Sequence, residues 1–131
     1  MCILRQTLLL LLVLLLCGCQ TLSEKKQGAA LSDTLGRYEA ALRWSGVEQA
    51  QHFHPDGPSA QTGDTADLRI MGYEVIQGPT MLSEDQALQT VIIQYIFESS
   101  QMLKELKDQQ IWEYDRDEQS WSLQSPFPVF R

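Results

Sequence analysis

The residues whose types and spacing suggest chemistry are few: Cys19 after Leu16-Cys17-Gly18, the run His52, His54 and Asp56, and the acidic string Asp115-Arg116-Asp117-Glu118. A thiol is a nucleophile and a site of covalent attachment, and Cys19 stands at the end of an apolar leader, behind small residues. His52, His54 and Asp56 carry the imidazole and carboxylate groups that suit zinc. Residues two apart on a helix, however, point about 200° apart and cannot share an ion. Three or four ligands are the usual requirement, so the expectation is that no metal binds and that the histidines close a helix. The string from Asp115 has the density of carboxylates of a calcium loop but lacks the glycine and the closing glutamate, with Ser120 and Pro126 at the key positions, and reads as a solvated turn. Ser59 has no nucleophile elbow around it, and no glycine-rich phosphate loop occurs. No catalytic set and no cofactor motif emerges, so the expectation is a non-enzymatic chain.

The leader positions Cys19. Arg5 is followed by the unbroken apolar run from Leu8 to Leu16, giving a charged start, an apolar middle and a small-residue end. A permanent span needs about 20 apolar residues, and this run is shorter. Leu16-Cys17-Gly18-Cys19 resembles the lipobox of bacterial lipoproteins. The resemblance implies diacylglycerol on the Cys19 sulfur, cleavage between Gly18 and Cys19, and acylation of the new amino group. Cys2 and Cys17 would leave with the leader, so the exported chain keeps Cys19 alone and cannot form an internal disulfide. Gln20, in place of the aspartate that resembles a retention signal for the inner membrane, favours the outer membrane, with the domain facing the periplasm.

Loss of Arg5 takes the formal charge from −7 for the whole chain to −8 for the exported part. A surface so acidic is unsuited to phosphate contacts, which excludes nucleic acid as the expected partner. The organisation expected is a signal peptide at 1–18, a lipidated cysteine and tether at 19–31, and one domain at 32–131. Thr21 to Ala30 is polar without an apolar period and reads as a tether that reaches at most about 33 Å at ~3.3 Å per residue.

Within the domain, Ser32, Asp33 and Thr34 offer caps for a helix whose apolar residues Leu35, Tyr38, Ala41 and Leu42 lead to Trp44. Gly46 breaks it, and Ser45 with Glu48 matches a capping box for a second, shorter helix carrying Val47, Ala50 and Phe53. His54 to Pro58 ends that helix and opens a loop to Asp67. A strand follows from Leu68, with Gly72 as a bulge and Gly78-Pro79 as its close.

Ala87 to Glu98 is dense in β-branched and aromatic residues and reads as a central strand, although Ser83 and Gln86 imitate a helix cap. Residues 101–111 stay open between strand and helix, because Met102, Lys104, Glu105, Leu106 and Lys107 are good helix formers. Trp112-Glu113-Tyr114 and Trp121-Ser122-Leu123 form a hairpin around the charged turn, and Phe127 or Phe130 of the Pro-rich tail plugs the domain. Trp44, Trp112 and Trp121 are either core or the lining of a pocket.

Two helices, a loop and a meander of strands ending in a Trp-rich hairpin, with Arg37-Tyr38, Arg43-Trp44, Trp112-Glu113-Tyr114-Asp115 and Trp121-Ser122-Leu123, resemble the cystatin-like cone of the nuclear transport factor 2-like superfamily over roughly Ser32 to Pro128. The resemblance implies an α+β fold, N-terminal helices packed on a curved antiparallel sheet. It is similar to small proteobacterial lipoproteins of that shape. Members include isomerases, dehydratases, ligand binders and dimerisation modules, so the shape transmits no activity. The central strand is apolar on both faces: Val91, Ile93, Tyr95 and Phe97 on one, Leu88, Ile92 and Ile96 on the other. A half-solvated strand alternates, so Leu88, Ile92 and Ile96 are the expected face for a protein partner or a second copy. The alternative is a small-ligand-binding or enzymatic cone with an apolar pocket.

Overall fold

The computed structural model describes residues 1–58 and 64–131, with residues 14–20 described by backbone alone. Helix α1 runs from Cys2 to Ala40 and opens into a π-helical turn, Ala41–Ser45, before the short helix α2, Val47–Gln51. Gly46 ends the π turn at φ 98°, a left-handed conformation that a Cβ would strain, while its N–H donates to the Ala41 carbonyl. The break expected at Gly46 is therefore present.

Both expected caps are absent. Ser32, Asp33 and Thr34 lie inside α1, and Thr34 Oγ1 donates back to the Ala30 carbonyl rather than capping. Gly46, without a side-chain cap bond, occupies the N-cap of α2 in place of Ser45. The segment 21–30, read as a tether, is helical. Its lack of an apolar stripe reflects sparse contact: within it Gln27 and Ala30 alone are half-buried, and the buried Leu31 follows.

The sheet is antiparallel with strands in the order β1 (Leu68–Ser83), β2 (Gln86–Phe97), β3 (Lys104–Asp115) and β4 (Ser120–Leu123). The chain is thus α+β, helices first and an open four-stranded sheet after them. Strand β2 is interior, as its apolar density requires, and 104–115 is a strand despite its helix formers, because β2 supplies ten consecutive register partners from Gln86↔Glu113 to Tyr95↔Lys104.

β1 skips a residue between Ile70 and Gly72, so the bulge falls where Gly72 marked it. A Cβ on Gly72 would meet Gln94 Oε1 at 2.7 Å. Gly78-Pro79 does not close β1. The strand continues to Ser83 through further register shifts, since Pro79 on an edge strand breaks no interior ladder.

One face of the sheet holds the core. Leu31, Leu35, Tyr38 and Leu42 form a stripe on α1 and its π turn that meets Ala87, Val91, Ile93, Trp112 and Leu123. The tail completes it: Phe130 packs on Tyr95 with ring centroids 5.0 Å apart, and Phe127 lies 6.4 Å from Tyr38. Tyr95 Oη donates to the Arg131 carbonyl at 3.1 Å, which pins the end of the chain across the domain as expected.

Candidate functional site

Gly18 and Cys19 lie on the helical course of α1, and their side chains fall outside the described residues, as does Ser59. His52 caps α2 and is exposed, whereas His54 Nδ1 accepts from the Asp56 amide at 3.3 Å and lies 3.7 Å from Asp56 Oδ2, so the imidazole and the carboxylate meet locally. No group of three His, Cys, Asp or Glu side chains among the described residues is placed to hold a metal ion. Asp115 Oδ1 accepts from the amides of Asp117 and Glu118 at 2.8 and 3.0 Å, tying the carboxylate into its own turn. Of the tryptophans, Trp112 and Trp121 are core, but Trp44 is 79% exposed, its ring covered on one face by the Arg43 guanidinium at 5.2 Å.

Leu88, Ile92 and Ile96 project from the face opposite the core and are half-buried. Leu88 stands between Thr80 and Ile111, Ile92 between Glu74 and Lys107, and Ile96 beside Arg69. Gln94, between them, donates to Glu105 Oε2 at 2.8 Å, and Thr90 is buried beneath Gln77 with Oγ1 3.4 Å from Gln77 Oε1. An apolar column in the central strand is thus flanked by polar and charged side chains on its neighbours, except at Leu88, where Ile111 adds an apolar one. None of the three belongs to the buried cluster or to the apolar residues packed against it.

The core face contains a group of polar residues that the sequence reading missed. On β3, Asp108, Gln110 and Trp112 take alternate positions pointing inward, and the register sets Gln110 opposite Gln89 and Asp108 opposite Val91. Gln110 Nε2 donates to Asp108 Oδ2 at 3.0 Å and lies 3.1 Å from Tyr73 Oη. Gln110 Oε1 in turn accepts from Trp112 Nε1 and from Gln89 Nε2, both at 3.3 Å. One glutamine therefore connects a carboxylate, a phenol, an indole and a second amide in a closed network.

Burial pushes the Asp108 carboxyl above its ordinary range, and the donation from Gln110 only partly offsets it. Burial likewise raises the Tyr73 phenol to about 12. Tyr38, fully buried, is held well above its ordinary value, first by desolvation and then by the nearby Asp108 charge. Its hydroxyl has no hydrogen-bond partner among the described residues, an exception to the rule that buried polar atoms are satisfied. The ring is held edge-on by Phe53 at 5.5 Å and Trp112 at 5.2 Å. The signal that marks this network is polar residues at the inward parity of a strand, legible only once β3 has a register.

A separate cleft of about 530 Å³ opens where α1 leaves the sheet, between Glu24, Gln27, Met81, Glu84, Arg116 and Trp121. Trp121 Nε1 donates to the Gln27 carbonyl at 3.0 Å and Gln27 Nε2 to the Glu84 carbonyl at 2.6 Å, clamping the helix to β4 and to the β1–β2 turn. Arg116, in the β3–β4 turn, joins that turn to the β1–β2 turn by bonding Asp85 and Glu84. Comparison with family models, with curated proteins and with solved structures finds no match. Among the described residues no helix is long and apolar enough to cross a membrane.

Proposed function

We propose that the chain is the precursor of a lipid-anchored bacterial envelope protein, held through Cys19 to the periplasmic side of a membrane, the outer one by the analogy of Gln20. Its domain, a cystatin-like cone of the nuclear transport factor 2-like kind, works without catalysis by binding a protein partner or a second copy. One observation carries the placement: the only cysteine left after the leader stands directly behind the apolar run and Gly18, where a thioether to diacylglycerol would form. Each buried CH₂ contributes about 0.8 kcal/mol, so two or more acyl chains hold a protein to a bilayer where one does not. The partner reading draws on Leu88, Ile92 and Ile96, an apolar column outside the buried cluster.

A second reading, a small-ligand-binding or enzymatic cone, is favoured by the unsatisfied Tyr38 hydroxyl in the company of Asp108 and Tyr73. Against it, the side chains there fill the interior, and the 530 Å³ cleft lies at the helix instead.

Mass spectrometry of the amino-terminal peptide of the native protein tests the anchor. Cys19 carrying diacylglycerol and an amide-linked acyl chain is expected. Cys19→Ala is expected to abolish the modification and leave an uncleaved or mislocalised precursor. An unmodified Cys19 in the native protein overturns the proposal.

A further inference from the structure

The helix that would leave Cys19 does not reach the domain as a slack linker, and this bears on which end of the sheet meets the membrane. From Cys19 to Gln27 the backbone is helical, a run of about 12 Å at ~1.5 Å per residue. Gln27 is then fixed to the β1–β2 turn through Glu84 and to β4 through Trp121. At the β1–β2 tip Met81, which lines one cleft with Ser23, Glu24 and Gln27 of the helix, and its neighbour Leu82 are 50% and 51% exposed, while Leu22 on the helix itself is 60% exposed. The opposite end of the sheet has its own apolar pair, Met102 and Leu103, at the β2–β3 turn.

We propose that Met81 and Leu82, together with Leu22, rest in the headgroup and upper acyl region of the bilayer that holds Cys19, so that the domain has one fixed orientation with the β2–β3 turn pointing away. The inference rests on the lipid-anchor reading and names the surface that the anchored domain presents.

A bilayer fits this tip better than a strand from another chain. Pro79 and the register shifts at Gln77, Thr80 and Ser83 leave the edge irregular, a geometry that discourages strand addition, whereas lipid accepts side chains with no demand on backbone register. An attached anchor also makes insertion intramolecular, so two or three modest apolar contacts suffice. The charge at this end selects the surface. Glu84 and Asp85 are paired with Arg116, and Lys25 and Lys26 on the helix are outnumbered by Glu24, Asp115, Asp117 and Glu118, which oppose a strongly anionic membrane. A zwitterionic surface is the fit.

The test uses the native lipidated protein with one added thiol, Leu82→Cys or Leu103→Cys, since Cys19 would be consumed by the lipid. Each is labelled with an environment-sensitive fluorophore and bound to phosphatidylcholine–phosphatidylethanolamine vesicles containing brominated lipid. Quenching at least about twofold stronger at 82 than at 103 is expected. Equal quenching at both, or stronger quenching at 103, overturns the orientation. Absence of quenching at either site, with the protein still vesicle-bound, overturns the insertion and leaves the anchor standing. Protein that carries no fatty acid and stays off the vesicles removes the anchor reading, and this inference falls with it.

Discussion

The two faces of the sheet are built from the same central strand and yet obey different rules. On the inner face Val91 and Ile93 are fully buried under α1, and the polar residues admitted there, Gln89, Asp108 and Gln110, hydrogen-bond one another with Tyr73 and Trp112. On the outer face Leu88, Ile92 and Ile96 are only half-buried, between charged neighbours such as Glu74 and Lys107. The inner face places polar groups where water is excluded and must satisfy them. The outer face places apolar groups where water has access and leaves them partly wet. The comparison teaches that apolar residues alone do not mark the core of this sheet; coverage by the helix and the tail does.

The largest effect is expected from removing what that coverage presses against. Trp112 is fully buried, meets Tyr38 and Phe53 edge-on, and donates to Gln110. Trp112→Ala should cost about 3–5 kcal/mol, read by urea unfolding, through lost contacts and a cavity. Because a small domain has only about 5–15 kcal/mol in total, the variant should be close to unfolded. A loss below about 1 kcal/mol would break the contrast between the faces.

The inner face also makes a prediction with a sign. Asp108 has its carboxyl raised above the ordinary 3.8 by burial, so the fold favours the protonated form. A group whose folded pKa lies above its unfolded one contributes its stability in full below the unfolded value and loses it as pH rises through the folded value. Asp108 therefore works against stability at neutral pH. Asp108→Asn, which keeps a carbonyl to accept from Gln110, should raise stability there by on the order of 1 kcal/mol, the scale of one buried polar group. The gain should shrink as pH falls through the raised value towards 3.8. Chemical denaturation of both proteins across that window checks it, and a difference that grows on acidification would contradict the assignment. Subtracting the wild-type curve is essential, because Asp67, lowered by its bonds to Ser99, pushes the profile the other way.

Part of this contrast between the faces is legible in the sequence. Strand β2 is legible because its β-branched and aromatic density overrides a false helix cap, and Phe127 or Phe130 as a plug because a Pro-restricted extended tail lies more readily across the domain than free of it. The helical course of 21–30 is not legible, because the two half-buried residues there, Gln27 and Ala30, are too few to write an apolar stripe. Pro79 was misread as an end because its cost depends on whether the strand is an edge, a property of the whole sheet. The network around Gln110 was invisible for the same reason. Asp108 and Gln110 become inward residues only through a register with β2, and residues 101–111 had no assigned structure on which to fix it.

The smallest effect on folding, and the sharpest on function, is expected at Ile92. Its side chain is outside the buried cluster and lies between Glu74 and Lys107, so Ile92→Lys exchanges a partly wet apolar group for a long stem that can keep its ammonium in water. Stability should fall by no more than about 1 kcal/mol. A partner chain or second copy laid over this column would instead meet an unpaired charge at its centre, which interfaces tolerate poorly. Chemical cross-linking of the lipidated protein in intact envelopes should give adducts that Ile92→Lys removes and that Trp44→Lys, at an exposed position on the helical side of the sheet, keeps. Adducts that survive Ile92→Lys would locate the partner elsewhere on the domain. A wild-type protein that forms none would leave the outer face as a surface whose charged neighbours shield it well enough for the chain to remain alone.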